Sequence, residues 1–162
     1  MQSRFSLYFI PERKREDGMF TFRKTTFKEA DCLAQWHATP VVKRWVPIDN
    51  WQVYFQAVTN LKNYYLYSVY HEGKIIAHIA GEVKEDAVAI CLVVDPMRHG
   101  QGIGTAVLVE MQRQTQSLFG HVNAYVAGIF PENISSIKCF EKAGYIKERK
   151  GNDGEDMYFY IL

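Results

Sequence analysis

Three glycines alternate in Arg98-His99-Gly100-Gln101-Gly102-Ile103-Gly104-Thr105, which follows the apolar run Ala87 to Val94 and opens a stretch where Ile103, Val107 and Met111 recur at helical spacing. A strand, a glycine turn and a helix start in that order leave several backbone N–H groups unpaired and converging at the helix N-terminus. Glycine lets the chain approach an oxygen closely, the helix dipole favours negative charge, and Thr105 adds a hydroxyl. The loop therefore reads as a cradle for a pyrophosphate. Two nucleotide chemistries are excluded by its spacing. A triphosphate-hydrolysing loop needs a lysine between its last glycine and the Ser or Thr, and here Gly104 runs directly into Thr105. A dinucleotide fingerprint needs G-x-G-x-x-G after the first strand of a parallel unit, whereas this loop has G-x-G-x-G.

The segments around the loop predict the rest of the fold. Tyr64 to Tyr70, Lys74 to Val83 and Ala87 to Val94 are β-branched and aromatic runs separated by Glu72-Gly73 and Glu85-Asp86, the pattern of an antiparallel three-strand meander. Phe20 to Phe22 is a further short strand. Thr26 and Glu29 have capping-box spacing and open a helix that carries Ala30, Leu33, Ala34 and Trp36 or His37 until Pro40 stops it. Asp49 or Asn50 caps a second helix from Trp51 to Leu61. After the glycine loop come a helix from Ile103 to about Leu118, a strand from His121 to Ile129, a short helix from Asn133 to Ala143 closed by Gly144, and a hairpin of Tyr145 to Lys150 with Met157 to Leu162 around Gly151-Asn152-Asp153-Gly154. The sum is an α+β fold, a mixed and mostly antiparallel central sheet flanked by helices. Residues 1–18 read as an arm or extra strand, with Phe5, Leu7 and Phe9 alternating, and residues 19–162 as one domain.

At 162 residues the chain buries one sizeable core, and its net charge of +1 from scattered acids and bases gives no basic surface for nucleic acid or anionic lipid. Cys32, Cys91 and Cys139 are far apart and show no metal-ligand spacing, which fits a reducing cytoplasm and no metal. No apolar run is long enough for a membrane helix, and no export signal is visible.

A second motif completes the pattern. Together with the glycine loop, Asn133-Ile134-Ser135-Ser136-Ile137-Lys138-Cys139-Phe140-Glu141-Lys142-Ala143-Gly144-Tyr145 resembles the paired signatures of the GNAT superfamily of acyl-CoA-dependent N-acyltransferases, over roughly Phe20 to Leu162. The resemblance implies that acetyl-CoA is the co-substrate and that an acetyl group passes to a primary amine by direct attack in a ternary complex. It implies that the backbone of Leu92, Val93 and Val94 pairs with the pantetheine arm. The amides of His99, Gly100, Gln101, Gly102, Ile103, Gly104 and Thr105 would hold the pyrophosphate, with Asn133, Phe140 and Lys142 completing the cofactor site. Two positions depart from the family pattern. His99 stands where arginine or glutamine is usual, with Arg98 one residue earlier, and Phe140 stands where a tyrosine commonly protonates the leaving thiolate. A thiol with a pKa of about 8.5 is a fair leaving group, so the missing acid is not fatal, and Tyr125 and Tyr145 are substitutes.

The acceptor raises a larger difficulty, because an alkylammonium with a pKa of about 10.4 is almost wholly protonated at neutral pH. A base is needed. The fourth strand, Ala87 to Val94, carries no acid, which leaves Glu82 as first choice, followed by His78, Asp86 and Asp49. Trp45, Asp49 and Glu82 are expected to contact the acceptor, Trp51 is a further candidate, and Trp36 belongs to the core with Leu33. Leu33-x-x-Trp36 and Pro40-x-x-x-x-Trp45, joined with the Cys-Phe-Glu-Lys-Ala-Gly-Tyr ending, look most like the branch of aminoglycoside 6'-N-acetyltransferases. A polycationic sugar would call on Asp49, Glu82, Glu85 and Asp86. A related branch acetylates protein N-termini, including those of ribosomal proteins, and a chain that had lost turnover would remain an acyl-CoA sensor. The partners expected are thus a small-molecule or peptide amine, with no nucleic acid and no membrane, for a monomer or homodimer.

Overall fold

The computed structural model describes residues 19–151 and 153–162. The arm or strand expected in residues 1–18 lies outside the described residues. Seven strands form one sheet in the order β1-β2-β3-β4-β5-β7-β6. They are β1 Thr21–Lys24, β2 Tyr64–His71, β3 Lys74–Lys84, β4 Ala87–Val94, β5 Ala124–Ile129, β6 Ile146–Lys150 and β7 Asp156–Ile161. Every neighbouring pair is antiparallel except β4 and β5. The meander is tied by tight turns, and at Glu72-Gly73 both residues take positive φ, 49° and 76°, as a hairpin of right-handed twist requires.

Alternation along the strands splits the core between two faces. Tyr67, Val69, Ile79, Val88 and Tyr125 point to one face, where α4 (Ile103–Arg113), α5 (Thr115–Phe119) and α6 (Ile134–Lys142) cover them. Leu66, Ala80 and Val93 point to the other, under α1 (Ala30–Ala38), α2 (Pro40–Lys43) and α3 (Trp51–Thr59). The Glu29 carboxylate accepts from the Thr26 N–H at 2.8 Å, as the capping box predicts, and from the Tyr70 hydroxyl at 2.8 Å, which fastens the start of α1 to β2.

Three of the boundaries that differ from the sequence expectation have a clear physical reason, while β1, α3 and β6 shift by one or two residues at an end. Pro40 ends one helix and starts another, because a proline at the first helical position has no N–H to lose. The helix after the glycine loop breaks at Gln114, where the Thr115 hydroxyl donates to the Gln112 carbonyl at 2.8 Å and also meets the Tyr125 hydroxyl at 2.6 Å. β5 then begins at Ala124 and not at His121, since Gly120, with φ 77°, is still turning the chain.

Gly81 in β3 gives a direct test of this packing. A methyl group there would lie 2.6 Å from Phe119 Cε1 and 3.1 Å from Val88 Cγ1. Phe119 is itself wedged edge-on against Tyr65, Tyr67 and Tyr125, so it has nowhere to go. Gly81→Ala should lower unfolding free energy by about 1–3 kcal/mol in a urea titration, with no effect on the cleft described next.

Candidate functional site

The parallel ladder between β4 and β5 is short, Ala87 with Ala124, Val88 with Tyr125 and Ala89 with Val126. Beyond Ala89 the two strands part. β4 continues with β3 alone and β5 with β7 alone, which leaves the β5-facing edge of β4 unpaired from Ile90 onward. The Asp95 N–H donates to the Ile76 carbonyl on the β3 side at 2.9 Å, so by strand alternation the polar groups of Val94 and Leu92 face the opening. An unpaired strand edge of this kind satisfies the amides of an extended chain.

The glycine loop closes one end of the opening. Asp95 accepts from the Met97 N–H at 3.0 Å and pairs with Arg98 at 3.4 Å, fixing the turn that leaves β4. Gly100 and Gly102 then adopt φ of 78° and 76°, a region that disfavours other L-residues, and Gly102 is the N-cap of α4. A side chain at Gly104 would meet Cys139 Sγ at 2.7 Å, so the bare backbone lets the start of α4 press against β4 and α6 together. Asn133 caps α6 by accepting from the Ser136 N–H at 3.2 Å. His99 bends back instead of pointing into the cradle, its Nε2 donating to the Val94 carbonyl at 3.0 Å.

These parts line a cleft of about 730 Å³. Of the residues expected to hold the cofactor, Leu92, Val93, Val94, His99, Gly100, Gly102, Ile103, Gly104, Thr105, Asn133, Phe140 and Lys142 line it, and Gln101 sits in the same loop with an exposed side chain. Arg98, Lys138 and Lys142 put three cations at this end. The Phe140 ring is buried and packs edge-on to Tyr145 at 4.9 Å. Neither substitute acid reaches the cleft. Tyr145 lies behind Phe140, its hydroxyl buried and pushed far above the usual phenol range by that burial, outweighing the Gln112 side chain. Tyr125 is a core residue bonded to Thr115 and pushed up to about 12, again by burial.

Two thiols line the cleft, and both are held protonated near neutral pH. Burial, with the nearby charge of Glu155, pushes Cys91 up to about 11. Burial also raises Cys139, outweighing the Thr105 hydroxyl and Lys142. A thiolate nucleophile at either position is therefore scarce near neutral pH.

At the other end, Trp45 from the α2–α3 connection faces Phe130 at the end of β5, ring centroids 6.2 Å apart, with Val46, Pro47 and Ile48 beside it. Trp51 is buried, stacked on Phe55 and edge-on to His78, and so belongs to the core, as does Trp36. The acids expected for the acceptor lie elsewhere. Asp49 is exposed and 3.9 Å from Lys43, Glu82 pairs with Lys84 at 3.2 Å, and Asp86 accepts from Asn123 at 2.8 Å in the β3–β4 turn it shares with Glu85. Glu155 was not anticipated. It is the one carboxylate lining the cleft among the described residues, and its head lies directly on the bare Cα of Gly128. A glycine inside the strand pattern of β5 is the sequence signal for such an approach.

The sequence matches the model of the acetyltransferase (GNAT) family over residues 30–145. Among solved structures, the aminoglycoside acetyltransferase AAC(6')-Ib in complex with coenzyme A is 18% identical, with a TM-score of 0.76 over 88% of this chain and 94% of that one. The GNAT domain of S. lividans PAT is 18% identical, with a TM-score of 0.73 over 91% and 93% of the two chains. A spermidine N-acetyltransferase SpeG chimera from Vibrio cholerae and hSSAT is 10% identical, with a TM-score of 0.73 over 89% and 96%. At these identities the likeness is one of fold. No curated protein matches the chain.

Proposed function

Because the chain belongs to the GNAT family of acetyltransferases, we propose that it moves the acetyl group of acetyl-CoA directly to the primary amine of a small molecule, both substrates being bound at once in the cleft between β4 and β5. The observation that carries this reading is the union of an unpaired strand edge with a glycine cradle at the start of α4. The edge suits the two amides of pantetheine, and the cradle suits the pyrophosphate beside Arg98, Lys138 and Lys142. Acetyl-CoA supplies the activated acyl group, and the chain's task is to align the amine with the thioester carbonyl and to remove a proton. With a phenylalanine at position 140, the departing thiolate takes its proton from water or from the amine itself.

The test is release of free thiol when acetyl-CoA is mixed with monoamines, polyamines, aminoglycosides and short peptides. Amine-dependent release is expected, together with an acetylated product by mass spectrometry. Thermal stabilisation by coenzyme A with no release from any amine would overturn the enzyme reading and leave a sensor.

A further inference from the structure

Position 155 is held by the backbone around it. The Gly151 N–H donates to the Glu155 carbonyl, and a Cβ at Gly151 would lie 2.7 Å from that oxygen, so Gly151 and Glu155 meet closely and Glu155 stands immediately before β7. From there the side chain crosses β5. Gly128 lies two residues past Val126, the last β5 residue paired with β4, and Cys91 lies two past Ala89, its partner. The Glu155 carboxylate thus sits at the vertex where the strands part, over Gly128 and within electrostatic reach of Cys91. None of the ion pairs among the described residues includes it, whereas Asp49, Glu82, Asp95 and Asp156 are each paired with a cation.

The cleft is consequently charged in opposite senses at its two ends, with three cations beside the glycine loop and one carboxylate at the strand vertex. The cleft wall at the Trp45 end is apolar, with Trp45, Phe130, Val46 and Ile48 lining it, and the Arg44 guanidinium stacks 4.5 Å from the Trp45 ring. A single ammonium finds one partner there. Further positive charges on the same molecule would find no second carboxylate lining the cleft among the described residues.

Resting on the acetyltransferase reading, we propose that Glu155 receives the acceptor's ammonium and takes its proton, and that the acceptor carries one positive charge next to a flat or apolar body that fits against Trp45 and Phe130. In the reaction the ammonium gives a proton to the Glu155 carboxylate, directly or through one water. The amine nitrogen lone pair then forms the C–N bond to the thioester carbonyl carbon. The C–S bond breaks with its electron pair leaving on the coenzyme A sulfur, which ends protonated by the second proton of the amine. Glu155 returns its proton to solvent.

Initial rates of thiol release should be compared for phenethylamine, tryptamine, spermidine and kanamycin, in the wild-type chain and in Glu155→Gln and Glu155→Asp. The aromatic monoamines should exceed kanamycin by at least about 100-fold in kcat/KM. Glu155→Gln should lower kcat/KM for the best amine by about 100-fold or more and flatten the acid limb of its pH profile, while Glu155→Asp retains part of both. The melting temperature and its rise with coenzyme A should be unchanged in both variants, separating this role from a structural one. Calorimetry of phenethylammonium binding to the coenzyme A complex tests the docking site separately from turnover. Binding lost in Glu155→Gln supports the docking site even in a chain that moves no acetyl group. A preference for kanamycin or spermidine, or a Glu155→Gln variant within threefold of wild type in both turnover and binding, overturns the inference while leaving the acetyltransferase reading intact.

Discussion

Replacing Gly100 and Gly102 together by valine should weaken coenzyme A binding by at least about 100-fold while leaving the chain folded. The two residues have φ of 78° and 76°, and a β-branched residue held there costs about 1–2 kcal/mol or more at each position. At Gly100 crowding is not the cause, since a Cβ there has nothing within 4 Å. The backbone relieves the strain by rotating, and rotation turns the N–H groups away from the space where phosphate oxygens would sit. Hydrogen bonds to charged groups contribute about 1.5–3 kcal/mol each, so losing two removes roughly 3–6 kcal/mol, or at least two decades of affinity. The fold is anchored elsewhere, because α4 docks through Val107, Leu108 and Met111, all of them fully buried. Calorimetric titration with coenzyme A, alongside a melting curve of the free protein, measures both quantities. A double variant that binds coenzyme A within threefold of wild type would remove the cradle from the proposed site.

Acidification should destabilise the protein between pH 6.5 and 4.5 by about 2–3 kcal/mol, with His78 as the principal cause. Burial against α3, reinforced by the neighbouring His37 and only partly offset by Glu29, lowers His78 to about 3. His37 is lowered in the same direction, by burial. In the unfolded chain both histidines take up protons near pH 6.5, so below that value the unfolded state binds more protons than the folded one. Stability therefore falls with falling pH, by up to about 1.4 kcal/mol per unit for each group that stays neutral in the fold. His78 Nε2 and the neighbouring Trp51 Nε1 have no hydrogen-bond partner among the described residues, so an added proton would bring a further donor without an acceptor. The Glu29 carboxyl is held below its usual value, burial opposing and the hydrogen bonds from Thr26 and Tyr70 prevailing. Its contribution persists above about pH 4.5 and is lost on further acidification, below the window in which His78 acts. Urea midpoints from pH 7 to 4.5 should fall steeply in the wild type and less so in His78→Met, which keeps an apolar contact with Trp51 and cannot titrate. Equal slopes in the two proteins would exclude His78 as the source.

Much of the fold was legible because its signals are local. The meander announces itself by two short turns, α4 by the glycine loop and its helical periodicity, and α6 by the asparagine cap and the terminal glycine. Boundaries that depend on distant partners were not legible. The break at Gln114 needs Tyr125 to be in place beside Thr115, and no local pattern records that meeting. The cofactor side of the cleft is built from two contiguous motifs and could be read almost residue by residue. The acceptor side brings together Trp45, Phe130 and Glu155, which are remote from one another in the chain. The sequence pointed to Glu82 at a strand end and Asp49 ahead of a helix, whereas the carboxylate lining the cleft stands just before β7 and reaches over a neighbouring strand through the gap left by a missing side chain. Only pairing β5 with β7 reveals it.

The three-residue ladder between β4 and β5 has one more consequence. Where that ladder stops is where the two strands open, so in the proposed site the depth available to an acyl chain depends on the count of paired residues as well as on the Glu155 side chain at the vertex. One additional pair would raise the floor by about 3.3 Å, close to the length of two or three methylenes, and one fewer would lower it by the same step. In the proposed site, strand register would thus act as a ruler for the acyl chain, and a change of donor length would be sought in the backbone between Ala89 and Cys91.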